Sequence, residues 1–284
     1  MICLKAISVI GAGTMGRGIA YTCAAHGFHV TVHDIEEKAL KSCENYIEEQ
    51  FQKAIEKGKI SEFDAERAKN SIVYTTNIKQ AAQSADLIIE AVLEIMDLKI
   101  RIFKELDQYT KPETILATNT STMSPTEIAA QTNRPDKCIA LHFFNPVPKM
   151  KLIEVICGLE TSEETVEKCF AFGKAIGKEC VKINEFPGFA VSRMNCLIGN
   201  EAMNMVMEGV GSVEDIDKAI KLGLNHPMGP LELADLVGLD TRLRNMEYLY
   251  QTLGEKYRPC PLLRKYVKAG WLGKKTGKGF YEYK

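Results

Sequence analysis

The chain has 284 residues, 45% of them apolar and 26% charged, and its 36 Lys and Arg nearly balance 37 Asp and Glu for a formal charge of −1. That length buries a large core and predicts two domains. The charge balance argues against an electrostatic drive toward nucleic acid or an anionic membrane, and no apolar run reaches the ~18 residues a bilayer span needs.

Residues Lys5 to Ile10 form an apolar, β-branched run that passes directly into Gly11-Ala12-Gly13-Thr14-Met15-Gly16. The start of the chain shows no basic n-region and no small-residue cleavage site, so no signal peptide is expected. A helical pattern follows from about Thr14 to His26, closed by Gly27, and then a second apolar run from Phe28 to His33 that ends on Asp34. Strand, G-x-G-x-x-G, helix, strand and acid occur in that order, with the acid 23 positions beyond the first glycine. In such a unit Gly11 allows the tight turn, Gly13 lets a pyrophosphate approach the backbone, and Gly16 lets the helix lie close to the strand. Asp34 would accept hydrogen bonds from ribose hydroxyls. With Glu36 and Glu37 beside it, a 2′-phosphate would be repelled, so the pattern predicts NAD rather than NADP.

From Asn45 to Asn70 the chain is highly charged, with Ile47, Phe51, Ala54 and Ile55 on one helical face, a break at Gly58 and a shorter helix from near Ser61. This predicts a helical hairpin projecting from the sheet. It is either a solvated insertion or, through Lys53, Lys57 and Lys59, a grip on a large anionic ligand. The alternation of strand and helix then resumes: strands at Ser71 to Thr75, Asp86 to Val92 and Thr114 to Thr118, with a helix from Leu93 to Tyr109. The strand ends, Ala91-Val92-Leu93-Glu94 and Thr118-Asn119-Thr120-Ser121, fall at the carboxyl edge where open α/β sheets bind ligands. Glu94 and Lys99 read either as a helix-start acid with a solvated lysine or as partners of a nicotinamide ribose. Ser121 reads as a cap-region hydroxyl or as a hydrogen-bonding group at the mouth of the cleft.

The stretch Leu141 to Val155, LHFFNPVPKMKLIEV, carries His142 at the end of one apolar run and Glu154 inside the next. Pro146 and Pro148 prevent either strand from continuing, so the segment between must turn. If the runs pair antiparallel about Pro148, His142 and Glu154 face each other, and the carboxylate holds one ring nitrogen while the other points outward as a base. After a strand from Glu179 to Ile183, the joint Asn184 to Gly188 ends the alternation. Helices alone follow, at about Ala190 to Glu208, Val213 to Leu222, Pro230 to Leu253 and Pro261 to Ala269. Their apolar surface predicts a homodimer. His226 reads as a turn residue, and the glycine-rich basic tail from Gly270 to Tyr281 as a cover for an anionic ligand. The nine cysteines include no C-x-x-C pair, which predicts reduced thiols, a cytoplasmic protein and no metal.

Taken together, GAGTMG from Gly11, TNTS from Thr118, LHFFNPVPKMKLIEV from Leu141, FPGF from Phe186, HPMGPLEL from His226 and GKKTGKGFYEY from Gly273 resemble the (S)-3-hydroxyacyl-CoA dehydrogenase family over nearly the whole chain. The resemblance is strongest to its short bacterial 3-hydroxybutyryl-CoA branch. It implies an α/β fold: a Rossmann-like, mostly parallel sheet in an NAD-binding domain over 1–185, with the hairpin at 45–70 inserted, then an all-α substrate and dimerisation domain over 186–284. It also implies that His142 is the catalytic base, Glu154 its orienting partner, and Ser121 a group that bonds the substrate oxygen. Gly11, Gly13, Thr14, Met15, Gly16, Asp34, Glu94, Lys99, Asn119, Ser121, Asn145 and Lys275 would line the NAD site, and Lys53 and Lys57 would meet the acyl-CoA. One departure stands out: Ser192 occupies the place after PGF-x-V where the family often has asparagine, and a hydroxyl reaches less far toward a thioester carbonyl than an amide. Two rival readings are an NAD-dependent dehydrogenase of a free hydroxy acid, which would need a cation such as Lys99 or Lys275 aimed at a carboxylate, and a non-catalytic NADH-binding protein, which would not need the His–Glu pair.

Overall fold

A computed structural model describes residues 4–283 and divides the chain into two compact units, one ending at Glu185 and the other beginning at Phe186. The first unit is built on eight strands: β1 (Ala6–Ile10), β2 (His29–His33), β3 (Ile72–Thr75), β4 (Leu87–Glu90), β5 (Ile115–Thr118), β6 (Cys138–Phe143), β7 (Leu152–Cys157) and β8 (Glu179–Asn184). They form one sheet in the order β3-β2-β1-β4-β5-β6-β7-β8. The strands pair in parallel except at β6 and β7, so β7 and β8 run opposite to the other six. Central strands are apolar on both faces; β4 is Leu87-Ile88-Ile89-Glu90 and every residue is buried. Helices on both faces account for that pattern.

The helices of this unit are α1 (Thr14–Ala25), α2 (Glu37–Glu56), α3 (Glu62–Asn70), α4 (Ile78–Gln83), α5 (Met96–Tyr109), α6 (Pro125–Ala129) and α7 (Glu163–Ala175). The hairpin differs from its sequence reading in two ways. Its first helix begins at Glu37 rather than near Asn45, because Leu40 and Cys43 extend the apolar stripe of Ile47 and Phe51 backward by one turn and more. Nor does the whole hairpin project: those four side chains belong to the main core, and Phe51 meets Tyr21 of α1 edge to face with ring centroids 4.9 Å apart. Burying an aromatic of this size is worth roughly 1.5–3 kcal/mol, enough to keep a charged helix flat against its neighbour. Only the far end, with exposed Lys53, Lys57 and Lys59, stands clear. Ser61 caps α3 by accepting the Asp64 N–H.

The second unit consists of α8 (Val191–Met207), α9 (Val213–Gly223), α10 (Pro230–Val237), α11 (Leu239–Leu253) and α12 (Pro261–Lys268) around a core that includes Cys196, Met203, Leu231, Leu239, Met246 and Leu263. The single helix expected from Pro230 to Leu253 is two, since Gly238 adopts φ +100° between α10 and α11. The glycine-rich tail is no loose cover. The Phe280 and Tyr281 N–H groups donate to the buried Asp235 carboxylate, and a Cβ on Gly279 would lie 2.0 Å from one of its oxygens. Those glycines let the tail close on Asp235. Among the described residues no helix is long and apolar enough to cross a membrane, and no His, Cys, Asp and Glu cluster could hold a metal.

Candidate active site

The glycine turn stands where the sheet order reverses, between β1 and the strands β2 and β4 on either side of it. Each glycine has a different reason to be there. Gly11 has φ +105°, and a Cβ on it would sit 2.7 Å from the Ala91 carbonyl. A Cβ on Gly16 would lie 1.8 Å from the Gly11 carbonyl, so the first turn of α1 can lie over β1 only without one. Gly13, the N-cap of α1, has ordinary extended backbone and nothing within 4 Å of a Cβ. The protein itself leaves that space open, in front of unpaired helix N–H groups with exposed Thr14 and part-buried Met15 beside them. Asp34 closes the turn from β2: its Oδ2 accepts the Ala12 N–H at 2.8 Å and its Oδ1 the Glu36 N–H at 3.1 Å. An open helix terminus with a carboxylate at the next strand end fits a dinucleotide, with phosphates at Gly13 and a ribose at Asp34.

The edge beyond β4 and β5 is held by a buried network. Lys99 is 1% exposed, which removes the solvated lysine from the two readings of its sequence context. Its ammonium lies 2.8 Å from Glu90 Oε1 and 3.2 Å from Glu94 Oε2. Burial alone would lower the Lys99 pKa, but Glu90 and then Glu94 more than offset it and hold the group above the usual lysine value. Glu94 Oε1 accepts the Ser121 N–H at 2.9 Å and the Thr120 hydroxyl. Lys99 therefore acts on this edge through Glu94. Asn119 spends its side-chain carbonyl on the Phe143 N–H, 3.0 Å away, which ties the end of β5 to the residue after His142.

His142 and Glu154 pair in register across β6 and β7. The imidazole is 6% exposed and the carboxylate 0%, with Nδ1 2.7 Å from Oε2. A carboxylate oxygen only accepts, so Nδ1 carries the proton and the tautomer is fixed with Nε2 as the basic nitrogen. The Phe144 ring lies against the imidazole at 4.4 Å between centroids. The turn joining the two strands starts with exposed Asn145 and is anchored twice. Val147 is buried at the position where α1 has Gly18, and the Lys178 ammonium donates to the carbonyls of Val147 and Met150 at 2.6 and 2.7 Å. Burial lowers the Lys178 pKa below the ordinary lysine value.

Lys53 and Lys57 line a cleft of about 420 Å³ together with Lys59, Lys149, Lys151 and Lys178. Sequence reasoning identified the first three lysines; the other three come from the β6–β7 turn and the connection just before β8, which only folding brings alongside. Ser192 and Lys275 belong to the second unit. Ser192 is half-buried in the first turn of α8, and Lys275 is exposed and donates to Asp240 Oδ1 at 2.6 Å.

Two descriptions from one family cover the chain: "3-hydroxyacyl-CoA dehydrogenase, NAD binding domain" matches residues 6–186, and "3-hydroxyacyl-CoA dehydrogenase, C-terminal domain" matches residues 188–283. The chain belongs to the 3-hydroxyacyl-CoA dehydrogenase family. It is 51% identical over 281 residues to the probable 3-hydroxybutyryl-CoA dehydrogenase of Bacillus subtilis, covering 99% of this chain and 98% of that protein. It is 47% identical to the 3-hydroxybutyryl-CoA dehydrogenase of Clostridioides difficile, covering 98% and 99% of the two chains. The crystal structure of (S)-3-hydroxybutyryl-CoA dehydrogenase from Ralstonia eutropha superposes with a TM-score of 0.95 at 43% identity, covering 99% of this chain and 100% of that one. As in other 3-hydroxyacyl-CoA dehydrogenases, the first domain takes NAD as its cofactor.

Proposed function

We propose that this protein oxidises (S)-3-hydroxyacyl-CoA, with 3-hydroxybutyryl-CoA as its substrate, and reduces the corresponding 3-ketoacyl-CoA in reverse. The similarity to proteins named 3-hydroxybutyryl-CoA dehydrogenase supports the substrate. The observation that carries the chemistry is the 2.7 Å bond between His142 Nδ1 and Glu154 Oε2, with His142 on β6, the strand next to β5, whose end leads into Asn119 and Ser121. NAD supplies a hydride acceptor at its nicotinamide, and NADH the donor. The protein moves the proton. With Nδ1–H donated to Glu154, His142 Nε2 takes the proton of the substrate 3-hydroxyl; in reduction the imidazolium returns a proton to the forming alkoxide, its charge balanced by Glu154. Ser121, whose backbone Glu94 holds in place, donates to the same substrate oxygen.

Gly11, Gly13, Thr14, Met15, Gly16 and Asp34 hold the adenosine half of the cofactor in this reading. Glu94, Asn119, Ser121 and Asn145 serve the nicotinamide half, with Lys99 acting through Glu94. The six-lysine cleft with Lys53 and Lys57 suits the phosphates of CoA. The exposed apolar side chains of the helical unit, Met194, Met207, Val210, Leu222, Leu224 and Leu236, suit a homodimer formed through that unit. The ion pairs weigh against a free hydroxy acid as substrate: Lys99 is neutralised by Glu90 and Glu94, and Lys275 by Asp240. Absorbance at 340 nm tests the proposal, because NADH should disappear with acetoacetyl-CoA and not with free acetoacetate. His142→Gln should lose ~10²-fold or more in turnover while still binding NADH. Turnover near the wild-type value in that variant would remove His142 from the mechanism.

A further inference from the structure

Glu90 ends β4 with 0% exposure, and every acceptor position of its carboxylate is used within the chain. Oε1 accepts from the Val92 N–H at 2.8 Å and from Lys99 Nζ at 2.8 Å. Oε2 accepts from the Thr118 hydroxyl at 2.7 Å and from Lys99 Nζ at 3.1 Å. Its backbone carbonyl accepts the Asn119 N–H at 2.7 Å. A carboxylate has about four lone-pair sites. With these occupied, Glu90 has no capacity left for a ligand, and whatever it does for the reaction it does through its neighbours.

Those neighbours are the three segments that make the sheet edge: the loop after β4, the first turns of α5 and the end of β5. Through Lys99 the chain of contacts continues to Glu94, and through Glu94 to Thr120 and Ser121. The charges matter as much as the bonds. One ammonium lies between two carboxylates, so neither acid is fully neutralised. Removing the charge on Glu90 would leave Lys99 to Glu94 alone and draw the Glu94 carboxylate inward onto it. Resting on the reading above that Glu94 faces the nicotinamide ribose, we propose that Glu90 is a positioning residue. It claims Lys99 strongly enough that Glu94 keeps its one remaining lone pair, on Oε2, for a ribose hydroxyl, while holding the Asn119 and Ser121 backbone at a fixed distance from it.

Glu90→Gln has the same shape but sets an NH₂ group against the Lys99 ammonium or the Val92 N–H. The dissociation constant for NADH, followed by nicotinamide fluorescence on the intact protein, should rise about 10-fold, and kcat at saturating NADH should fall by less than about 3-fold. The double variant Glu90→Gln/Lys99→Met should bind NADH no more weakly than Lys99→Met alone, because the effect passes through Lys99. Thr118→Val removes one bond to Glu90 without altering charge, and should raise the same constant about 3-fold even if Glu90→Gln does not fold. A lowered melting temperature with unchanged NADH affinity would make Glu90 merely structural and overturn the proposal, as would additive losses in the double variant. Wild-type protein that fails to bind NADH would overturn the reading of the cofactor site itself, and this inference with it. Wild-type binding with an unaffected Glu90→Gln overturns this inference alone.

Discussion

Glu154→Gln isolates what the carboxylate contributes to the base. The side chain is fully buried and its Oε2 lies 2.7 Å from His142 Nδ1. The amide matches the carboxylate in volume, so no cavity forms and the packing of β6 on β7 is kept. Two things change. A charge-assisted hydrogen bond of about 1.5–3 kcal/mol to the imidazolium becomes a neutral one of about 1 kcal/mol. The amide can also present its NH₂ to Nδ1, which selects the wrong tautomer and turns Nε2 from acceptor into donor. The first effect alone is worth roughly 0.5–2 kcal/mol, or about 2- to 30-fold at 1.36 kcal/mol per decade; the second brings the expected loss in kcat to about 10²-fold or more, as in other base–carboxylate pairs. Initial rates of acetoacetyl-CoA reduction, with the NADH dissociation constant measured in parallel, make the check. A Glu154→Gln enzyme that turns over within 3-fold of wild type would refute the assignment of Glu154 as the orienting group, and one that loses NADH affinity in proportion to turnover would show that the substitution acts on the cofactor site instead.

The glycine loop offers a paired test. Gly16→Ala forces a Cβ to 1.8 Å from a backbone oxygen and should destabilise the first unit by about 3 kcal/mol or more in urea unfolding, whereas Gly13→Ala should unfold like wild type and weaken NADH binding about 10-fold. Asp107 supplies a pH test: burial would raise its pKa, but the Asn133 N–H, Arg134 and the Asn133 side chain outweigh that and hold it below the usual carboxylate value. Its stabilisation is complete above the unfolded value of ~3.9 and disappears as pH falls through the lower folded value, so Asp107→Asn should cost about 2 kcal/mol at pH 7 in chemical denaturation, with the gap to wild type closing toward pH 2–3. Cys23 and Cys43 have pKa values pushed up to about 12 by burial, and both should resist alkylation at pH 8 until denaturant is added, as read by mass spectrometry.

What the sequence revealed and what it hid divide along the range of the interactions involved. The His142–Glu154 pairing was legible because two prolines fix where the turn must be, and an antiparallel register follows from its centre; the observed partners are those predicted by a turn about Pro148. The strand–glycine–helix–strand–acid order was legible for the same reason, since each residue acts on chain within a few dozen positions. α7 was passed over although its signal was local: Ser162 caps it by accepting the Thr165 N–H, Glu163 and Glu164 follow, and Val166, Cys169 and Phe172 repeat at helical spacing. The break at Gly238 was hidden, because glycine inside a helix costs only ~1 kcal/mol relative to alanine and its sequence alone does not reveal whether φ turns positive. Glu90 was hidden more deeply. In the sequence it is a lone acid inside an apolar strand, yet its bonds reach Lys99 on the next helix and Thr118 on the next strand, partners fixed only when the crossover connection brings β5 beside β4. Lys178 is a parallel case, marked by no motif in the sequence and an anchor of the His142–Glu154 turn in space. His142 and Ser121, proposed to meet the reacting oxygen, sit at or just beyond strand ends, where pattern reading finds them. The groups that hold those positions depend on topology, and a search confined to motifs overlooks them even when they are among the most buried charges in the protein.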